Sequence, residues 1–137
     1  MRKQSTNKKV RRQDMKVHAK ATRTLRALGN EEAFRFYEDV DRPTGESARS
    51  LRGFLERIES VKLESLIFHL TRNDFKNWIA NTLEDTELAR RLGKIPVTHN
   101  DRLRTKICST VRNRLKELDK ATDSVTICVD EPAIVAI

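Results

Sequence analysis

The sequence is poor in the residues that most specialised sites require. Its 137 residues include four glycines and two cysteines, and none of the glycines forms the spaced loop that cradles a nucleotide phosphate. Cys108 and Cys128 stand alone, without a CxxC pair, and read as small hydrophobes in or near a core rather than as metal ligands or a disulfide framework. The three histidines, His18, His69 and His99, are scattered, so no metal site is expected. No cofactor is expected either. No apolar run approaches the roughly 18 residues of a membrane span. The start has no apolar stretch of the secretory kind, and the expected location is the cytoplasm.

What the sequence has is charge, unevenly spread. Arg2, Lys3, Lys8, Lys9, Arg11, Arg12, Lys16, Lys20, Arg23 and Arg26 face only Asp14 within residues 1–28, so this arm carries +9 of a total of +8. The remaining body is close to neutral. Within it, residues 98–120 are again basic, with Arg102, Arg104, Lys106, Arg112, Arg114, Lys116 and Lys120 against three acids. The stretch between is acidic early, at Glu31, Glu32, Glu38, Asp39 and Asp41.

Hydrophobic periodicity predicts one mainly α domain over 29–137, a small bundle of about five helices behind the arm. Residues 1–12 show no periodicity and read as disordered in isolation. Residues 14–27 favour a helix with a thin apolar stripe of Met15, Ala19, Thr22 and Leu25. Residues 31–40 carry two signals: Asn30 before Glu31 and Glu32 resembles a helix start, while Phe34-Arg35-Phe36 alternates like a strand. The balance favours a helix, closed by a turn at 41–45.

Ala48, Leu51, Leu55 and Ile58, with Phe54 alongside, predict a helix over 47–59 capped by Ser47 or Ser50. Residues 63–71 follow with Leu63, Leu66, Ile67 and Leu70 inward. Asp74 is read as the cap of a third helix, with Phe75, Trp78, Ile79 and Leu83 on one face. Asp85 is read as the cap of a fourth, with Leu88, Ala89 and Leu92, ending at Gly93. The longest, about 100–119, buries Leu103, Ile107, Val111, Leu115 and Leu118 and turns Arg102, Arg112 and Lys116 outward. Val125, Ile127 and Val129 alternate with polar residues, so the tail predicts a short C-terminal β-hairpin with 133–137.

The string Ser50-Leu51…Phe54…Ser65-Leu66…Phe68-His69…Arg72…Asp74-Phe75…Trp78 resembles a family of small prokaryotic, mainly archaeal, helical domains of unknown function. Their hallmark is S-L-x-x-F … S-L-x-F-H-x-x-R-x-D-F-x-x-W. The resemblance covers about residues 34–92, leaving out the arm, the long basic helix and the tail. It implies an intracellular prokaryotic protein and transfers no mechanism. Gly53 departs from the pattern, since relatives tend to carry an acid there.

Two features invite function. His69, Arg72, Asp74 and Trp78 form a cluster that could handle a phosphate or perform acid–base chemistry. Packing and capping also account for each of the four, and that reading is favoured over a pocket or a catalytic site. The arm is the stronger signal. Ten cations interspersed with polar residues suit the backbone of RNA or DNA. No aromatic residue lies within 1–33, so base stacking by the arm is not expected. A membrane surface is disfavoured for want of apolar groups opposite the charge. The sequence therefore favours a non-enzymatic binding module that contacts nucleic-acid backbone through the arm and through Arg102, Arg112 and Lys116. A regulatory protein–protein domain is the alternative, and an enzyme or phosphate site at His69, Arg72 and Asp74 comes third.

Overall fold

A computed structural model describes the chain from residue 15 to residue 136, with side chains to residue 122. The predicted disorder of residues 1–12 lies outside the described residues. Helix α1 covers residues 15–25. A two-stranded antiparallel sheet follows, β1 (Phe34–Asp39) and β2 (Arg42–Ala48). Then come α2 (Leu51–Ser60), α3 (Leu63–Thr71), α4 (Asp74–Asn81), α5 (Thr86–Gly93) and α6 (Asp101–Ala136). The class is mainly α, as expected, with six described helices rather than five. Among the described residues no helix is long and apolar enough to cross a membrane.

The hairpin is real but sits at the other end of the fold from the one predicted. Residues 34–48 form it, while 125–136 continue α6 as helix. The helical reading of 31–40 also gives way. Phe34 and Phe36 alternate into the core and Arg35 points out, a period of two that only a strand satisfies. Asp41 takes a left-handed φ of 63° at the turn, between β1 and β2. The register shifts between the Arg35–Ser47 and Tyr37–Pro43 pairs, where Gly45 at φ 86° lets β2 bulge and Thr44 Oγ1 donates to the Phe36 carbonyl at 3.0 Å. In the tail, the helix begun at Asp101 satisfies its own backbone bonds residue by residue. A strand there would need a partner, and the only strands among the described residues already pair with each other.

The predicted core helices are present. Ser50 caps α2 by accepting from the Gly53 N–H at 3.0 Å, and Leu51, Phe54 and Ile58 are buried. Asp85 caps α5 through the Leu88 N–H at 3.1 Å, with Leu88, Ala89 and Leu92 buried. The inward stripe of α6 is the one predicted, Leu103 through Leu118, and Cys108 is buried beside it. The Cys128 side chain lies outside the described residues. Three local readings fail. The helix predicted from residue 47 begins at Leu51, and Ala48, read as part of its inward stripe, closes β2 opposite Phe34. α1 packs through Ala21 and Thr24, followed by Leu28, while Met15, Ala19 and Thr22 are exposed. Asp74 does not cap α4: Asn73 holds that position in a left-handed conformation without a side-chain cap bond, and the Asp74 carboxylate turns back toward α3.

Two ties fix the ends of the domain. The Leu28 N–H donates to the Arg49 carbonyl at 2.7 Å and Arg49 Nε donates to the Leu28 carbonyl at 3.0 Å. Arg52, one turn further on, pairs with Asp119 of α6. The end of α1 and the Asp119 turn of α6 therefore flank the same end of α2.

Candidate functional site

The His69 cluster assembles as the spacing suggested, and most of it is consumed by the fold. His69 is 3% exposed, ringed by Phe34, Phe36, Phe68 and Phe75 with centroids 4.8–6.0 Å away. The Tyr37 N–H donates to its Nε2 at 2.8 Å, and its Nδ1 lies 2.8 Å from Asp74 Oδ2. A backbone N–H can only donate, so Nε2 is unprotonated and the ring proton sits on Nδ1, directed at the carboxylate. Burial pushes the imidazole below its ordinary pKa of 6.5, against the upward pull of Asp74. The neutral ring thus ties β1 to the start of α4. Neither nitrogen is left for a substrate, and an acid–base role would have to break one of these bonds.

Trp78 is spent in the same way. It is buried against Phe34 and Phe54, and its Nε1–H donates to the Glu32 carbonyl at 2.8 Å. Arg72 is different. Its guanidinium lies over the Phe68 ring at 4.7 Å, and its Nε is 3.4 Å from Asp74 Oδ2. Its two terminal nitrogens have no partner among the described residues, and the side chain is 53% exposed. It borders an open depression of about 340 Å³ between the hairpin and α3–α4, where Tyr37, Val40, Asp41 and Asn77 also contribute. Among the described residues no group of three or more His, Cys, Asp or Glu could hold a metal ion.

The basic residues divide by what they touch. Arg2, Lys3, Lys8, Lys9, Arg11 and Arg12 lie outside the described residues. Lys16 and Lys20 are exposed on α1. Arg23 pairs with Glu84, and Arg26 donates to the Arg23 and Thr82 carbonyls at 2.6 and 2.8 Å, so both help pin α1 to the α4–α5 connection. Arg104 is also structural, closing the end of α2 through the Ile58 and Val61 carbonyls, both at 2.7 Å. Arg91 and Arg114 form a network with Glu87, Glu117 and Asp85 between α5 and α6. Arg112 stands 4.0 Å from Glu59.

The outer side of α6 is arranged otherwise. Arg102, Lys106, Ser109, Asn113, Lys116 and Lys120 recur at spacings of three and four, which places them on one stripe. All six are exposed, and none of the four cations has an ion-pair partner among the described residues. At 1.5 Å per residue the stripe is about 27 Å long. Arg102 and Lys116 were expected on this face. Lys106 and Lys120 were missed, although their spacing of four from Arg102 and Lys116 was visible in the sequence. Arg112 lies at its margin, beside Glu59.

The family of unknown function DUF5752 matches residues 31–126, more than half of the chain. The chain belongs to that family. The match runs well past the segment on which the resemblance was first seen. It takes in α6 as far as residue 126, so the cationic stripe lies within the DUF5752 region and the arm outside it. No curated protein and no solved structure matches the chain.

Proposed function

We propose that this DUF5752 domain is a non-enzymatic binding module that docks on the phosphate backbone of RNA or DNA. The observation that carries this reading is the outer stripe of α6. Four cations, Arg102, Lys106, Lys116 and Lys120, stand exposed without carboxylate partners among the described residues, on a body whose other cations are mostly paired. Unpaired cations along one helix face match the repeating charge of a nucleic-acid backbone, and releasing its counterions drives association. Ser109 and Asn113 between them offer hydrogen bonds to phosphate oxygens without reading sequence. The basic arm supplies a second cationic element. Its contacts are again to backbone, because it holds no aromatic side chain. This activity belongs in the cytoplasm of a prokaryotic cell.

The test separates the two elements. Affinity for a 20-base-pair duplex and for a single-stranded RNA is measured across salt concentration for three proteins. These are the full chain, a form lacking residues 1–14, and the full chain with Lys106, Lys116 and Lys120 changed to Gln. Deleting 1–14 spares Ala21 and Leu28, which belong to the core. On the duplex each lost phosphate contact lowers the log–log salt slope by about 0.9, so the triple variant drops by up to about 2.7. Unchanged slopes in both variants would refute the reading. Recovery of one stoichiometric protein partner from nuclease-treated extract, with no nucleic-acid affinity, would favour the regulatory alternative.

A further inference from the structure

The depression beside Arg72 is not explained by packing. His69 and Trp78 are fully engaged, yet Arg72 has capacity to spare: Phe68 lies under its guanidinium, Asp74 Oδ2 stands 3.4 Å from Nε, and its two terminal nitrogens have no partner among the described residues. Such a planar fork suits two-point recognition of a carboxylate. Tyr37 and Asn77 line the same space, and the hydroxyl of the one and the side-chain amide of the other have no partner among the described residues. The walls are apolar, from Phe34, Phe68 and Val40. Val40 is a large apolar residue left 63% exposed at the tip of the hairpin, where the core offers it nothing.

The charge of the rim narrows the class of ligand. Asp74 is matched by Arg72, so Asp41 leaves the rim with a net negative balance. A phosphate dianion or a polyanion is disfavoured there, which separates this place from the α6 stripe. A neutral ligand with both charges is suited to it. The volume of about 340 Å³ lies at the small end of ligand sites.

We infer that this depression binds a small zwitterion with an apolar body, a free α-amino acid with an apolar side chain. Its carboxylate lies on the Arg72 fork and its ammonium at Asp41. Its side chain rests against Val40 and Phe68. The inference does not depend on nucleic-acid binding.

The experiment uses the full chain, with backbone amide resonances followed by NMR during titration. Three probes are compared: L-phenylalanine, phenylacetate, which lacks the amine, and phenethylamine, which lacks the carboxylate. L-phenylalanine is expected to move the amides of Tyr37, Val40, Phe68 and Arg72 saturably, at least tenfold more tightly than either truncated probe. Arg72→Gln should weaken it by a similar factor, and Arg72→Lys should restore only part. Arg72 is largely exposed, so both variants keep the fold, and their unchanged spectra elsewhere verify it. Equal binding of all three probes would reduce the site to a greasy surface and overturn the inference. So would the absence of any shift in those four amides, or displacement of L-phenylalanine by inorganic phosphate.

Discussion

The Tyr37 N–H and His69 Nε2, 32 residues apart in sequence and 2.8 Å apart in space, fix the protonation state of the most buried titratable ring in the described chain. A proton added at Nε2 would set two N–H donors against each other and break the tie between β1 and α3. It would also place a positive charge among four phenylalanine rings.

Stability should therefore depend on pH through this group. The folded-state pKa of His69 lies below 6.5, so the unfolded chain binds the proton more readily. The contribution is fully present above about pH 6.5 and is lost as pH falls through the lower folded-state value, with each unit of separation worth about 1.4 kcal/mol. Urea midpoints measured from pH 7.5 to pH 5 should decline for the natural chain. In His69→Phe the decline over that window should be absent, at the cost of about 1–3 kcal/mol for the stranded Tyr37 amide. If the two proteins keep parallel profiles, His69 is not the group responsible.

Ser65 gives a prediction of opposite sign. It is fully buried on α3, and its Oγ has no hydrogen-bond partner among the described residues. An unmade bond to a buried hydroxyl costs about 1–3 kcal/mol, and Ala is the better helix former. Ser65→Ala should raise stability by about 1 kcal/mol, read from the thermal or urea midpoint. A loss of stability would mean that the hydroxyl has a partner of its own.

These two residues mark where the sequence could and could not be read. The helices α2, α3 and α5 and the buried stripe of α6 follow from apolar spacing, because an amphipathic helix states its inward face within a few turns. Ser50 and Asp85 were legible as caps for the same local reason. The strand β1 was not. Its acidic lead-in at Glu31 and Glu32 resembles a helix start, and the balance was tipped by residues far along the chain, His69 and Trp78, which bond to Tyr37 and Glu32. Asp74 misled in the same way, since a capping residue and the partner of a distant imidazole look alike in sequence. The alternation at Val125, Ile127 and Val129 is a period of two without a strand beside it, and periodicity alone cannot supply one. At the site, the His69–Arg72–Asp74 spacing was visible, but Tyr37, Val40 and Asp41 reach it only because the hairpin folds over α3.

The remaining prediction concerns the joint between α5 and α6. Asp85 is 1% exposed, and its carboxylate caps α5 while Arg114 Nε and Nη2 reach its two oxygens at 2.8 and 3.1 Å. Removing Asp85 leaves Arg114 with Glu117 alone, and removing Arg114 leaves the buried Asp85 carboxylate with the Leu88 N–H alone. Asp85→Ala should cost about 3–5 kcal/mol, since it forfeits the cap and leaves the half-buried guanidinium with Glu117 as its remaining carboxylate. Arg114→Met should also destabilise, by less, because the Leu88 N–H still bonds the carboxylate. The double variant should be about 1–3 kcal/mol more stable than the sum of the two losses implies. Urea unfolding of the four proteins measures that coupling directly. Strict additivity would mean that the two residues act separately, Asp85 as a cap and Arg114 through Glu117.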